Sequence, residues 1–169
     1  PDRSPGVRGG KPAGRGDLGG DRGPPGCPEY GKKVPMNRVV LDTNVVVSGF
    51  LNAENPPGRL LNAVVNGLLL PVLDSRIFAE YREVLLRPRF GLNREDVESV
   101  LDLVRFEADW ISPAPFLGFL PDEGDRPFVE AALSAGVPLV TGNPRHFQPV
   151  EGLCVMQPSD ALSLLGPGS

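Results

Sequence analysis

The stretch Asn37-Arg38-Val39-Val40-Leu41-Asp42-Thr43-Asn44 determines how the rest of the chain is interpreted. Its aliphatic, β-branched run predicts a short buried strand that ends at Asp42. Either of the two polar residues that follow can cap a helix reaching to about Leu51. A buried strand that ends in a carboxylate and leads directly into a helix is typical of the first unit of an α/β fold.

Strand and helix patterns alternate along the remainder of the chain. The predicted strands are residues 39–41, 68–73, 110–111, 137–141 and 153–156. The predicted helices are residues 43–51, 60–65, 75–86, 93–104, 125–136 and 159–165, with a break at 56–58 and a loop at 113–121. Alternation of this kind predicts a three-layer α/β/α fold with a central parallel sheet.

Composition divides the chain in two. Residues 1–35 contain 10 Gly and 7 Pro and carry a net charge of +3, whereas residues 36–169 carry a net charge of −7 and contain no lysine. The first segment cannot bury enough apolar surface to offset its ordering entropy, so we expect a disordered Gly/Pro-rich tail. We interpret it as an extension upstream of a natural start at Met36; the alternative is a basic arm that binds RNA or a partner. Residues 36–169 form the predicted folded domain.

Several classes of protein are excluded or disfavoured. No stretch approaches the roughly 20 apolar residues of a membrane span. No secretory signal precedes the domain, so we expect a cytoplasmic protein with no membrane partner. Cys27 and Cys154 are too few for a disulfide framework or a cysteine zinc site, and we interpret them as an incidental thiol and a core thiol. An acidic domain is also not a general nucleic-acid binder.

Carboxylates are predicted to meet at one edge of the sheet. Asp42 ends the first strand, Glu80 lies beside the apolar stripe of the third helix, and Asp125 begins the helix at 125–136, with Asp122 and Asn143 nearby. Ligands of parallel sheets bind at the carboxyl ends of the strands. Several carboxylates in one cleft cannot all stay ionised unaided, and oxygen donors without thiolate or imidazole select Mg²⁺ or Mn²⁺.

Each of these residues also has a purely structural interpretation. Asp42 and Asp125 are both well placed as helix N-caps. Glu80 can be an ordinary solvated helix residue, and Asp122 can be a turn residue in Pro121-Asp122-Glu123-Gly124.

Taken together, the segments resemble the PIN-domain family of metal-dependent ribonucleases, and most of all the bacterial branch described as toxin components of toxin–antitoxin systems. The resemblance covers about residues 37–160. It rests on the order and spacing of four motifs: Val39-Val40-Leu41-Asp42-Thr43-Asn44, Phe78-Ala79-Glu80-Tyr81-Arg82-Glu83-Val84-Leu85 with Arg87-Pro88-Arg89-Phe90, Pro121-Asp122-Glu123-Gly124-Asp125-Arg126, and Leu139-Val140-Thr141-Gly142-Asn143.

The resemblance implies hydrolysis of an RNA phosphodiester with Asp42, Glu80 and Asp125 as the acidic metal ligands. Asn143 occupies a position where many relatives have a fourth Asp, so Asp122 is a candidate for the missing charge. Thr43 and Asn44 are expected to position Asp42 or a bound water from outside the ligand shell. The resemblance also implies a small antitoxin protein as partner and a homodimer.

Cationic side chains near the predicted cleft are all arginines or the single histidine. Arg126 and Arg145 are the candidates for substrate binding, because arginine suits bidentate phosphate contact, although ordinary solubilising charge is the alternative. His146 is interpreted as a surface or capping residue. Two other functions stay open: a catalytically weak module that binds RNA or protein without cleavage, which Asn143 favours, and an Asp-x-Asp phosphatase, which Asn44 disfavours.

Overall fold

The computed structural model describes Cys27, residues 37–147 and residues 150–165 of the chain. Its strands are β1 (Arg38–Leu41), β2 (Leu70–Leu73), β3 (Asp109–Trp110), β4 (Leu139–Val140) and β5 (Val155–Met156). Its helices are α1 (Thr43–Leu51), α2 (Pro56–Val65), α3 (Ser75–Leu85), α4 (Arg94–Glu107), α5 (Arg126–Ala135) and α6 (Pro158–Leu164). Short 3₁₀ turns lie at Pro88–Phe90, Glu123–Asp125 and Pro144–Phe147.

The five strands form one parallel sheet in the order β3-β2-β1-β4-β5. The chain builds outward from β1 through β2 to β3, then crosses back to add β4 and β5 on the other side. The strand order therefore reverses between β1 and β4, which is where open α/β sheets form a crevice for ligands. This architecture confirms the predicted α/β fold with a central parallel sheet flanked by helices.

The core surrounds β1 and β4. Val39, Val40, Leu139 and Val140 are completely buried, because the central strands of a parallel sheet are covered on both faces. Helix α5 contacts both β1 and β2 and ends at Gly136, whose φ of 62° is the left-handed conformation that suits glycine. No helix within the described ranges is long and apolar enough to cross a bilayer.

Two local predictions were wrong because capping chemistry was misassigned. Residues 56–58 do not break the chain but form the first turn of α2, where proline is tolerated and Asn55 caps the amide of Gly58 at 2.7 Å. Only glycine fits at position 58, since a Cβ would lie 2.2 Å from the carbonyl of Asn52. Helix α3 is capped by Asp74 rather than Ser75, with Asp74 accepting from the amides of Arg76 and Ile77.

The interpretation of the two cysteines was also wrong. Cys27 and Cys154 form a disulfide with their Cα atoms 5.0 Å apart, and Cys27 is buried in the core next to β5. Two cysteines separated by 127 residues carry no spacing signal, so this contact was not predictable from the sequence. All other residues of the predicted disordered tail, together with Met36, lie outside the described part of the chain.

Candidate active site

Asp42 lies at the point where the strand order reverses. It follows β1 directly and is buried, and its Oδ2 accepts a hydrogen bond of 2.6 Å from the hydroxyl of Thr141 at the end of β4. Although Asp42 occupies the N-cap position of α1, its side chain makes no capping hydrogen bond. The structural interpretation of Asp42 as a helix cap is therefore wrong, and its carboxylate is directed toward the carboxyl edge of β4.

Burial is the main influence on the charge of Asp42. It raises the pKa of the carboxyl above its usual value, while the hydrogen bond from Thr141, the nearby amides of Asn44 and Thr43, and the imidazole of His146 all lower it. The carboxylate thus bears a net desolvation cost that a bound cation would offset.

Glu80 is joined to this edge through Thr43. The Thr43 hydroxyl donates to Oε1 of Glu80 at 2.6 Å, so the first residue of α1 and the middle of α3 are linked beside Asp42. The next residue of α3, Tyr81, is fully buried and donates its hydroxyl to the carbonyl of Leu41, which fixes the end of β1. Burial, followed by the charges of Asp42 and Glu80, raises the pKa of Tyr81 well above its usual value. The sequence interpretation missed this role of Tyr81.

Asp125 is the most perturbed carboxylate at this edge. It stands at the N-cap position of α5 without a capping bond, and its Oδ2 is buried with no hydrogen-bond partner. Burial raises its pKa from 3.8 to about 6, and the charges of Asp42, Asp122 and Glu80 act in the same direction. The capping interpretation of Asp125 is also wrong, and its unpartnered buried oxygen is a donor that a cation could satisfy.

Asp122, Asn143 and His146 complete the surroundings of Asp125. Asp122 caps the turn Glu123–Asp125 by accepting from the amide of Gly124 at 2.8 Å. The Asn143 side-chain amide lies 2.7 Å from Nε2 of His146, whose Nδ1 lies 3.9 Å from Asp125 Oδ2. His146 therefore contacts Asn143 and lies near Asp125, and its spacing of three residues from Asn143 was the available sequence signal.

Asn44 and Arg126 contact other parts of the protein, whereas Arg145 is exposed. Asn44 accepts from the amide of Gly142 at 3.4 Å, which ties α1 to the turn after β4. Arg126 pairs with Glu123 at 2.6 Å and donates to the carbonyls of Phe116 and Gly118, so it holds the loop before α5. Arg145 is exposed on the turn after Asn143.

The donor set of this edge suits a hard divalent cation. Asp42, Glu80, Asp122 and Asp125 offer only oxygen atoms, and one of these, Asp125 Oδ2, is buried without a partner. Within residues 37–147 and 150–165, no three acidic, imidazole or thiol groups already stand in the arrangement of a closed metal site. Thr43 donates to one oxygen of Glu80 and Thr141 to one oxygen of Asp42, so each carboxylate keeps its second oxygen for a cation.

The raised pKa of Asp125 gives a testable dependence of stability on pH. The folded state disfavours the charged carboxylate, so its contribution to stability is lost as pH rises from about 4 through 6. Without divalent metal, we expect Asp125→Asn to be only slightly more stable than the wild type at pH 4.5, where about a third of the effect is present. At pH 7.5 it should be more stable by about 1–2 kcal/mol, after allowing for solvent screening. Thermal melts in chelator measure this, with Asp102→Asn on the exposed face of α4 as the control. An equal difference at both pH values would contradict the assignment.

Comparison with known families agrees with this geometry. A family model described as the PIN domain matches residues 38–145, which is more than half of the chain, so the chain belongs to the PIN domain family. PIN domains are generally nucleases and typically use divalent metal ions. The chain is also 24% identical over 109 residues to the uncharacterized protein MJ1680 of Methanocaldococcus jannaschii, a match that covers 63% of this chain and 70% of that protein.

A solved structure shares the fold at low sequence identity. VapBC2 from Rickettsia felis, solved bound to a DNA fragment from its promoter, matches with a TM-score of 0.51 and 16% identity, over 71% of this chain and 98% of that chain. VapBC-1 from nontypeable Haemophilus influenzae matches with a TM-score of 0.49 and 19% identity, over 72% and 98%. At these identities, the first likeness supports the fold alone.

Proposed function

We propose that this chain is a metal-dependent endoribonuclease and the toxin of a toxin–antitoxin pair. The observation that carries the proposal is the pair formed by Asp42, which is buried, and Asp125, whose Oδ2 is buried without a hydrogen-bond partner: neither side chain caps its helix, and both lie at the edge where the strand order reverses. Carboxylates whose surroundings disfavour the ionised form, and so raise the pKa, are typical of functional sites. Membership of a generally nucleolytic family makes phosphodiester hydrolysis the reaction they serve best.

The chain's own residues would divide the work. Asp42, Glu80 and Asp125, with Asp122 beside them, would hold Mg²⁺ or Mn²⁺. When bound, the ion would neutralise phosphate charge and promote ionisation of water. Thr141 orients Asp42 through its hydroxyl, and Thr43 orients Glu80. The ring of His146 contacts the side-chain amide of Asn143, and His146 lowers the pKa of Asp125.

A second candidate function is an RNA- or protein-binding module without cleavage. Asn143 favours it, because an amide stands where a fourth carboxylate would add charge. Incubating purified protein with single-stranded RNA in Mn²⁺, Mg²⁺ or chelator separates the two functions. Cleavage that requires metal supports the nuclease. RNA binding without cleavage at any metal concentration would favour the binding module.

The partner we propose is a small antitoxin protein that covers the acidic edge in the cytoplasm. VapBC2 from Rickettsia felis, which shares the fold, was solved bound to a DNA fragment from its promoter, and this supports the proposal. A homodimer of this chain is part of the same proposal. Co-expression with the neighbouring open reading frame, followed by a cleavage assay, tests the partner: a cognate antitoxin should suppress RNA cleavage and co-purify.

Thr43 provides a test of ligand positioning. Thr43→Val keeps the shape of the buried side chain but removes the hydroxyl that orients Glu80. We expect cleavage to fall by about 10- to 100-fold, the usual loss for an outer partner of a metal ligand. Thr43→Ser keeps the hydroxyl and should retain most activity. Rates measured at several Mn²⁺ concentrations check this, and equal rates in the Val and Ser variants would contradict a positioning role.

A further inference from the structure

A second concave site lies on the same sheet edge as the acidic cluster. It is a cavity of about 600 Å³ between the carboxyl ends of β2 and β3, within the size range of small-ligand sites. Its lining includes Asp74, Arg76, Trp110, Ser112, Pro113 and Glu130. Continuing the β1–β2 register places Asp74 beside Asp42, and neighbouring strands are about 5 Å apart. The cavity therefore lies on the same sheet edge as Asp42, beginning one strand away from it.

The polar wall of this cavity is rigid. Arg76 pairs with Asp74 at 2.6 Å and with Glu130 at 2.8 Å, and both carboxylates are more than nine-tenths buried. Glu130 also accepts from the amide of Phe116 at 2.9 Å, so it ties the loop after β3 to this wall. These contacts use Nε and Nη2 of Arg76, whose side chain stays about half exposed. The guanidinium is thus fixed in place before any ligand arrives.

The apolar wall is fixed as well. Trp110 donates its indole N–H to the carbonyl of Arg105 at 3.0 Å and packs against Phe78 with ring centroids 5.6 Å apart. Nevertheless, 44% of Trp110 remains exposed. A held aromatic side chain with an open surface is a stacking platform for nucleobases.

The charge of the polar wall favours the base of a nucleotide over its phosphate. Two carboxylates face one guanidinium, so the polar wall has a net charge of about −1 and disfavours phosphate. A neutral base meets no such penalty, and arginine donors suit the acceptor groups on base edges. Single-stranded RNA is commonly recognised through splayed bases that stack on aromatic side chains.

We propose that this cavity is a nucleobase-binding subsite, where a base next to the cleaved phosphodiester stacks on Trp110 and accepts hydrogen bonds from Arg76. The inference rests on the proposed ribonuclease function and extends it to substrate recognition. It also explains how an acidic domain without lysine engages RNA, because stacking replaces much of the usual electrostatic attraction.

Trp110 is the chain's single tryptophan, so its fluorescence reports directly on the cavity. In chelator, which prevents cleavage, we expect a short single-stranded oligoribonucleotide to quench Trp110 saturably. An abasic sugar–phosphate oligomer of equal length should not quench it. Equal quenching by both would show a phosphate site and overturn the proposal. Quenching by neither would also overturn it and leave the cavity to a protein partner.

Substitutions provide the second arm. Binding of a labelled oligoribonucleotide, followed by anisotropy, should weaken by about 5- to 150-fold in Trp110→Ala and only slightly in Trp110→Phe, which keeps an aromatic face. Phe106→Ala is the matched control, since Phe106 is a highly exposed aromatic on α4 outside the cavity. Unchanged binding in a folded Trp110→Ala protein would overturn the subsite.

The two proposals fail separately. If wild-type protein cleaves RNA with Mn²⁺ but Trp110→Ala has an unchanged KM and no quenching is seen, the subsite is wrong and the ribonuclease stands. If no cleavage occurs but only base-containing RNA quenches Trp110, the ribonuclease is wrong and the subsite stands as part of a binding module.

Discussion

Asp42→Asn is expected to abolish metal-dependent RNA cleavage while the fold is preserved. Loss of an outer partner of a metal ligand typically costs 10- to 100-fold, so loss of a charged ligand itself should cost more than about 100-fold. The asparagine oxygen can still accept the hydrogen bond that Thr141 donates to Asp42. Cleavage rates at saturating Mn²⁺ measure the effect.

Stability distinguishes this outcome from simple unfolding. Burial raises the pKa of Asp42, so the charged form is disfavoured in the folded protein, and the neutral variant should be at least as stable as wild type at pH 7 without metal. A lost activity with an unchanged or higher melting temperature therefore supports the site. Asp102→Asn on α4 should leave both properties unchanged. Full activity of a folded Asp42→Asn protein would contradict the proposal that Asp42 is a metal ligand of the active site.

The fold was largely predictable because its signals are local. The run Val39–Leu41 is too apolar and β-branched for anything but a buried strand, and strand–helix alternation then leaves few topologies. The edge that carries Asp42 followed from the same argument, since parallel strands place their carboxyl ends together. Local capping was harder, because Asp74 and Ser75 are both good caps and only the backbone geometry selects between them.

The remaining features depend on contacts between distant segments. The Cys27–Cys154 disulfide joins residues that share no motif, and the hydrogen bond from Tyr81 to Leu41 spans two elements. In the sequence, Trp110 is one residue of a short strand. Its place in the cavity appears only in the folded protein, where α3 and α5 bring charged side chains beside it. Residue types alone predict that the acidic edge suits a divalent cation. They do not predict which of its side chains make hydrogen bonds within the protein.

Asn143→Asp is expected to tighten metal binding and to lower the metal concentration that cleavage needs. The backbone amide of Asn143 is held by Thr141 at 3.0 Å, and its side chain reaches His146, which lies beside Asp125. A carboxylate here would attract a divalent cation by about 8 kcal/mol at about 4 Å and an effective dielectric near 20, twice the value for two unit charges. Part of that gain is lost because the new charge also repels Asp42 and Asp125 before metal binds. We expect the Mn²⁺ concentration for half-maximal cleavage to fall by about tenfold, which is about 1.4 kcal/mol.

The same substitution should have the opposite effect on the metal-free protein. The added charge raises the cost of ionising Asp125, so in chelator the melting temperature at pH 7.5 should fall, whereas at pH 4.5, where Asp125 is protonated, the fall should be smaller. Asn62→Asp adds the same charge on the exposed face of α2, whose C-terminal end precedes β2 at the opposite edge of the sheet, and should change neither property. If Asn143→Asp also changes neither, then position 143 is directed away from the cation, and the acidic site would consist of Asp42, Glu80, Asp122 and Asp125.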